Sequence, residues 1–561
     1  MARTSAPAWR AAALLSVAVA VPAAAQEPSH KHYEQTPDAE KPAPTGELAP
    51  RLQNLGRHVF PVSTRSKQSQ LFVNQGMNLA YGFNHAEAGR SFREAARLDP
   101  GLAMAYWGQA LVLGPNINAP MAPEDEPKAY ELAQKALSLK GRASARERAY
   151  LEALAQRYSG KAEDRAARDQ AWADAMREVA RRYPNDLDAA SLFAEALMDL
   201  RPWAYWSPDG TPQPGTLEAV ATLERVRARN PDHPLATHLY IHAVEATAPR
   251  RAEAAADRLS KLMPGAGHMV HMPSHIYMRV GRYADASAAN VAAALADEDY
   301  ITQCRAQGLY PMGYYPHNIH FLWSSATMEG RSELAIASAR RVASKVEDAA
   351  MKEMPMMAGF RVVPYYALTR FGKWDEMLAE PAPPDNIYMK GTWHYARGLA
   401  FAAKGRLEDA GVELAEVRRI AVDPALKFNL FSPNTADHIF AIAPEVLAGD
   451  LFARRQDFDR AIAHLERAVR LEDALVYTEP AEWHYPARQM LADVLLQAGR
   501  AREAETVYWA DLYRNPDNGW SLFGLARALR AQDRNDEAAS VEKRFEKAWV
   551  KADIELTGSR F

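Results

Sequence analysis

The chain has 561 residues, of which 48% are hydrophobic and 24% are charged, an ordinary composition for a globular protein. The formal net charge is −3, so no strongly basic surface is implied and nucleic acid is not expected as a partner. The single cysteine, Cys304, excludes a fold held together by disulfide bonds within the chain.

The N-terminus has the pattern of a secretory signal peptide over residues 1–25. Arg3 and Arg10 form a positively charged start, residues 11–22 are an apolar run too short to span a membrane comfortably, and three alanines end the segment. We therefore expect a cleaved signal, a periplasmic or secreted protein, and no membrane span after cleavage. Residues 26–66 begin polar and rich in proline, and we interpret them as a disordered linker and lead-in.

Helical periodicity, with no convincing strand, runs from residue 67 to residue 550 and contains a repeat of about 34 residues. The repeat has small residues at positions 8, 20 and 27, a bulky residue at 24 and a proline at 32. In the unit that starts at Ser69, these residues are Gly76, Ala88, Ala95, Phe92 and Pro100. The pattern resembles the tetratricopeptide repeat (TPR), in which two antiparallel helices pack closely at the small positions.

This resemblance implies an all-α protein, a TPR-type α-solenoid over residues 67–550 with a concave inner surface, and a C-terminal tail at residues 551–561. We expect roughly eleven or twelve helix pairs, because about 34 residues make one pair. The repeat in general also implies a peptide or protein partner in the concave groove.

Several segments are similar to an uncharacterised group of exported bacterial TPR proteins. These segments are AMAYWG at 103–108, GPNINAPM at 114–121, HMPSHIYMRVGRY at 271–283, YYPHNIHFLW at 314–323 and NPDNGWSLFGLA at 515–526. The similarity covers nearly the whole chain after the signal. It supports the fold and implies no particular activity.

Three stretches break the register of the repeat, at residues 114–125, 201–214 and 297–315. Long loops in a repeat array often lie on the functional face. For the loop at 201–214, which carries Trp203, a purely structural plug is an equal alternative. Tyr314 comes just before a histidine-bearing helix, where it would stack on a substrate or cap the helix.

Seven of the 16 histidines lie between residues 238 and 320, on the first helices of three consecutive repeats. They take positions 2, 5 and 9 of their repeats, and spacings of three and four place them on one face of a helix. The residues are His238, His242, His268, His271, His275, His317 and His320. By the repeat resemblance this face lines the concave groove, so we expect imidazoles from neighbouring repeats to converge there.

Converging neutral imidazoles with a carboxylate are the donors that transition metals prefer. We predict a site for Zn, Cu or Fe in the histidine-rich centre at residues 234–330, completed by Glu245 or by water. With an open coordination position the ion would serve hydrolysis or oxidation of a small molecule, and Glu245 is then the candidate catalytic group. Glu479 is a remote carboxylate that reaches this site only if the superhelix curls.

The sequence leaves other uses of these histidines open. They would also suit a metal-free groove that binds a ligand, a carrier without turnover, or a periplasmic scaffold that binds an extended peptide without metal or catalysis. Coincidental packing is the remaining alternative. Pro273 lies among the histidines, and because an interior helix proline costs about 3 kcal/mol, we expect metal binding to offset that cost.

Overall fold

The computed structural model describes residues 46–304, 310–430 and 434–561. The predicted signal peptide and the first part of the predicted linker lie outside these ranges. Within them the regular structure is helical, apart from isolated β-bridges. No helix in the described ranges is long and apolar enough to cross a membrane.

The N-terminal helices pack as consecutive antiparallel pairs. The first four pairs are α1 Lys67–Tyr81 with α2 His85–Leu98, α3 Ala103–Leu111 with α4 Glu126–Ser138, α5 Ala145–Leu154 with α6 Arg165–Arg182, and α7 Leu187–Asp199 with α8 Thr216–Arg229.

The central part of the chain contains broken helices. Its first three units are α9 Pro234–Val244 with α10 Glu253–Leu262, the split helix α11 Gly267–His271 and α12 Pro273–Val280 with α13 Tyr283–Cys304, and α14 Tyr315–Met328 with α15 Ser332–Ser344. The fourth unit consists of four short helices, α16 Asp348–Glu353, α17 Ala358–Arg361, α18 Val363–Arg370 and α19 Trp374–Ala379.

The C-terminal helices continue the same pairing. They are α20 Ile387–Ala403 with α21 Leu407–Ala421, the split helix α22 Ala436–Phe440 and α23 Ile442–Arg454 with α24 Phe458–Asp473, α25 Ala487–Gln497 with α26 Ala501–Arg514, and α27 Gly519–Arg530 with α28 Asn535–Ala548. Short 3₁₀ helices also occur between these helices, at Pro123–Asp125, Lys140–Arg142, Ala162–Asp164, Pro249–Ala252, Pro355–Met357 and Pro424–Leu426. A short π-helix spans Tyr310–Tyr314.

The described helices thus form twelve units, and the prediction of an all-α, TPR-type α-solenoid is confirmed. Small residues occur at fixed positions of the repeat because an aromatic ring packs against them. A Cβ atom at Gly76 would lie 2.7 Å from the Phe92 ring, and one at Gly108, in the next unit, would lie 2.4 Å from the same ring. Phe92 therefore fills the space between two neighbouring units, as the repeat pattern indicates.

The superhelix curls far enough for its C-terminal units to contact the central ones. The hydroxyl of Tyr283 donates to the carbonyl oxygen of Pro516 at 3.0 Å. The indole nitrogen of Trp520 donates to the carbonyl oxygen of Thr327 at 2.9 Å. Because both contacts join residues far apart in the sequence, the concave side is filled in this region.

The described part of the predicted linker, residues 46–66, is held against the first helices. The backbone N–H of Leu48 donates to the Glu94 carboxylate at 2.9 Å. The ring of Phe60 is stacked on Trp107 with their centroids 5.9 Å apart, and Phe60 is buried. Residues 46–66, the end of the predicted linker and its lead-in, are thus packed on the solenoid through buried apolar side chains.

The C-terminal residues 551–561 also pack on the solenoid. The Asp553 carboxylate accepts a hydrogen bond from the backbone N–H of Ser332 at 2.6 Å, and the Ser559 hydroxyl donates to the carbonyl oxygen of Trp520 at 2.8 Å. These contacts tie the predicted tail to the helices that curl back towards the centre.

Candidate metal centre

The helix that carries three of the histidines is interrupted at Pro273. Helix α11 ends at His271, and α12 begins at Pro273 with Met272 in a helical conformation between them. At the first position of a helix, proline's missing N–H would have had no partner in any case. The cost that we expected metal binding to offset is therefore largely avoided by the break in the helix.

Six of the seven predicted histidines converge in two adjoining groups. In each group the ring-nitrogen donors, one from each residue, lie within 4.8 Å of one another. The first group draws on α9 and α11, and the second on α11, α12 and α14. The members are His238, His242 and His268 in the first group and His271, His275 and His317 in the second.

His320 lies apart from both groups. Its ring is stacked on Trp323 with centroids 5.1 Å apart and meets Phe360 edge-on at 5.4 Å. Position 5 of the repeat predicts that His320 lies with the other histidines. In the structure its ring instead contacts Trp323 on the same helix and Phe360 on α17.

The histidines do not line an open groove as the repeat resemblance implies. His238 and His271 are fully buried, and only His317 among the six is partly exposed. The concave side at this point is filled by α1 and the turn after it, where the ring of Phe83 lies 4.5 Å from that of His238. This filling requires contacts between distant repeats, which a local repeat pattern does not encode.

Two of the buried rings have Nδ1 bound to an oxygen that fixes their tautomer. Nδ1 of His238 lies 2.7 Å from the carbonyl oxygen of Tyr81, which can only accept. Nδ1 of His271 lies 2.6 Å from Oδ1 of Asn290, whose amide nitrogen donates to the carbonyl oxygen of Ala286. Both rings therefore donate through Nδ1, and in their neutral forms each has a lone pair on Nε2.

Glu245 fixes two further rings in the same way. Its Oε1 lies 3.2 Å from Nδ1 of His242, and its Oε2 lies 2.6 Å from Nδ1 of His275. Burial by itself raises the pKa of Glu245, but the neighbouring His275 and the two hydrogen bonds outweigh burial and bring the pKa to about 2. Glu245 is thus an ionised acceptor on the side of these rings away from Nε2, where carboxylates orient metal-ligating histidines.

The Nε2 atoms of His271 and His275 lie 2.9 Å apart. When both rings are neutral, each carries its proton on Nδ1, so two Nε2 lone pairs face each other. Burial lowers the pKa of His271 well below 6.5, which favours the neutral form of that ring. Two nitrogen ligands of one ion, at about 2.0–2.1 Å each, lie about 2.9–3.4 Å apart for angles between 90° and 109°.

The other group also brings ring nitrogens together, although no outside acceptor fixes the tautomer of His268. Nε2 of His268 lies 3.2 Å from Nε2 of His238. Nε2 of His242 and Nδ1 of His268 are buried and have no hydrogen-bond partner within the described residues. Burial lowers the pKa of His238 and of His268 well below 6.5, and the neighbouring imidazoles lower it further. Neutral, unpartnered ring nitrogens of this kind fit a transition metal.

Glu479 reaches this centre from the segment before α25. Its Oε2 lies 3.5 Å from Nδ1 of His275 and has no hydrogen-bond partner among the described residues. Its other oxygen accepts from the hydroxyl of Tyr477. Burial, followed by repulsion from Glu245, raises the pKa of Glu479 well above 4.5. From the sequence we expected Glu479 to reach this site only if the superhelix curls. The superhelix does curl, and Glu479 lies at the site.

Residues from all three register-breaking loops cover the histidines. The indole of Trp203 meets the His242 ring edge-on at 5.2 Å, and the ring of Tyr314 meets that of His268 at 4.9 Å. Asn118 connects the two, because its side chain accepts from the Trp203 indole at 3.2 Å and is hydrogen-bonded to the Tyr314 hydroxyl. Trp203 is 36% exposed, so this cover separates the histidines from solvent.

A further cluster of His58, Asp188 and His233 lies next to the centre and was not found from the sequence. Nε2 of His58 and the Tyr81 hydroxyl bind Oδ1 of Asp188 at 2.8 and 2.6 Å. Nδ1 of His233 accepts from the backbone N–H of Ala236, so the proton of its neutral ring is on Nε2, which faces Asp188 at 3.2 Å. That tautomer does not ligate through Nε2, and the cluster is a hydrogen-bonded support.

Nothing in the sequence indicates Asn290 or the Tyr81 carbonyl as partners of the centre. Asn290 lies on the second helix of its unit, outside the histidine stripe, and Tyr81 contributes a backbone atom that any residue would have. The only signal that pointed to Asn118 was the break in register at 114–125.

No protein-family model matches this sequence, and no curated protein matches it. Solved structures to which it is similar include the APC/C hetero-tetramer Cut9-Hcn1, with 11% identity over 87% of this chain and 80% of that chain and a TM-score of 0.35. The human IFIT1 dimer with m7Gppp-AAAA matches with 13% identity over 79% and 90% of the two chains and a TM-score of 0.32. Yeast Tom70 matches with 14% identity over 87% and 96% and a TM-score of 0.26.

At these identities and TM-scores no function can be inferred from the similarity. The helix pairs of this chain establish its solenoid architecture by themselves. The resemblance to exported bacterial TPR proteins stays a prediction.

Proposed function

We propose that this chain is an exported metalloprotein with a transition-metal centre inside its solenoid, and that it is a metal-dependent enzyme acting on a small molecule. The observation that carries the proposal is the approach of the Nε2 atoms of His271 and His275 to 2.9 Å while both Nδ1 protons are donated elsewhere. A cation between the two lone pairs removes their repulsion and uses both donors.

The donor set favours Zn, Cu or Fe, because imidazole suits these metals and no thiolate is present in the two groups. Such an ion supplies either Lewis-acid activation of water, for hydrolysis, or electron transfer, for oxidation. Glu245 and Asn290 hold the rings in the tautomer that presents Nε2. Glu245 acts as a positioning residue, because its oxygens are engaged by Nδ1 of His242 and His275.

Aromatic side chains around the histidines keep bulk water away from the proposed metal centre. Phe83 and Phe321 pack against the rings of His238 and His275, with centroids 4.5 and 4.8 Å apart. Trp203 lies between the His242 ring and solvent. His317 is the partly exposed member of the two groups and therefore marks the side from which a small molecule would approach.

The peptide-binding alternative expects these histidines on an open groove. They are buried instead, so no observation at this centre favours an extended peptide there. Export is proposed from the signal pattern of residues 1–25, which gives a periplasmic or secreted location.

The test is the metal content of protein purified without a histidine tag, before and after reconstitution with Zn, Cu or Fe salts. We expect about one equivalent or more of one metal, and less than about 0.2 equivalents of any of them would contradict the proposal. The double variant H271Q/H275Q is expected to bind less metal than the wild-type protein does. His464 gives a matched control, because its Nδ1 binds Glu445 at 2.6 Å, outside the groups that would hold a metal.

A further inference from the structure

The two histidine groups do not share a close pair of ligand atoms. Each contains one close pair of Nε2 atoms, His238 with His268 at 3.2 Å and His271 with His275 at 2.9 Å. Two ligands on opposite sides of one ion, at about 2.1 Å each, are at most about 4.2 Å apart. Among the described residues, no set of three or more donors within 4.8 Å of one another contains members of both pairs, and the set that bridges the two groups consists of His242, Glu245 and His275. One ion therefore cannot use both pairs.

The two sets nevertheless adjoin. The rings of His242 and His275 have centroids 5.6 Å apart, and those of His268 and His271 are 5.9 Å apart. The same carboxylate holds a ring of each set, because Glu245 binds Nδ1 of His242 through Oε1 and Nδ1 of His275 through Oε2. The orientation of one set is thus tied to that of the other.

We propose that the centre is dinuclear, with one transition-metal ion held by His238, His242 and His268 and a second held by His271, His275 and His317, and with Glu245 as their shared outer partner. This inference rests on the metal centre proposed above. It adds the stoichiometry, the division of ligands and a chemical class of reaction, because a pair of neighbouring ions suits a substrate that bridges them or accepts two electrons.

The charges nearby also bear on which ions fit. Glu245 contributes one negative charge in direct contact with both sets. Repulsion between the two ions is smallest for monovalent ions, so the surroundings favour a pair of Cu⁺ ions over a pair of Zn²⁺ ions.

The test is a titration of metal-free, untagged protein with Cu⁺ under anaerobic conditions and, separately, with Zn²⁺, each against a competing chelator of known affinity. We expect Cu⁺ binding to saturate at two equivalents. Saturation at one equivalent with both ions would overturn the dinuclear centre and leave the proposed metalloprotein standing. Saturation at zero with both ions would overturn the two proposals together.

Variants then assign the ligands. H238Q/H268Q and H271Q/H275Q are each expected to retain one equivalent of Cu⁺, and H464Q is expected to retain two. Loss of all binding in both double variants would contradict the division into two sets, provided that thermal unfolding shows both variants folded. The wild-type stoichiometry decides the main claim if either variant fails to fold.

Discussion

Nε2 of His271 lies 2.9 Å from Nε2 of His275, and in the neutral forms of both rings neither atom carries a proton, because the surrounding acceptors hold the proton on Nδ1. Such a contact repels unless a cation lies between the rings. The side chains behind the rings therefore determine whether metal binds, and they give the first predictions.

Replacing Glu245 with glutamine should weaken metal binding by about 10- to 100-fold, as loss of an outer-shell partner typically does. The amide replaces one of the two carboxylate oxygens with an NH₂ donor, which would face the Nδ1–H of either His242 or His275. Competition with a chelator measures the change. E445Q is the control, because Glu445 binds the outlying His464 in the same geometry. Equal affinities of E245Q and wild type would show that Glu245 does not orient the ligands.

Replacing Asn290 with leucine should remove the acceptor that fixes the tautomer of His271. We expect metal affinity to fall about 10- to 100-fold, and the metal-free protein to lose about 1–3 kcal/mol because a buried N–H is left without a partner. N290D keeps an acceptor oxygen and should recover most of the affinity. Equal losses in N290L and N290D would refute a role in orienting the ring.

Replacing Trp203 with asparagine should open the cover over the histidines. Asparagine tolerates the positive φ of 62° at this position better than most residues, so the loop keeps its conformation. We expect a chelator to remove the metal at least about tenfold faster while stoichiometry is unchanged, because a barrier to solvent sets the exchange rate. The control is W509A, at a tryptophan that is 44% exposed on α26. An unchanged removal rate in W203N would mean that metal enters elsewhere.

The metal-free protein should lose stability on acidification, and His320 shows why. Burial lowers its pKa from 6.5 to about 3. Between these values the unfolded chain binds a proton that the folded chain does not, so the free energy of unfolding falls as pH falls below 6.5. The contribution is about 1.4 kcal/mol per pH unit for one such histidine.

Urea unfolding at several pH values between 4.5 and 7.5, with a chelator present, measures this slope. H320F keeps an aromatic ring against Trp323 and Phe360 and should have a slope smaller by up to about 1.4 kcal/mol per pH unit. H438F, at an exposed histidine, is the control. Identical slopes for H320F and wild type would show that His320 is not held neutral.

The repeat pattern and the histidine spacing were sufficient to predict both the solenoid and the convergence of six imidazoles. A small residue such as Gly76 indicates a close contact between the two helices of a repeat. Histidines at positions 2, 5 and 9 lie on one face of a single helix. These relationships lie within one repeat or between neighbours, so the sequence contains them directly.

The filled interior could not be predicted in this way. The contact between His238 and Tyr81 joins residues 157 positions apart, and the approach of Glu479 to His275 spans still more of the chain. Both depend on the rotation between successive repeats, which accumulates along a solenoid from small differences in packing. For the same reason His320, at a position equivalent to that of His271, faces Trp323 and not the centre.

The most direct test of the metal centre is anomalous X-ray diffraction at the absorption edge of the metal, from crystals of the metal-loaded protein. We expect an anomalous peak between the Nε2 atoms of His271 and His275, at about 2.0–2.1 Å from each. Crystals of protein saturated with metal that show no peak there, or a peak only at other residues, would contradict the account.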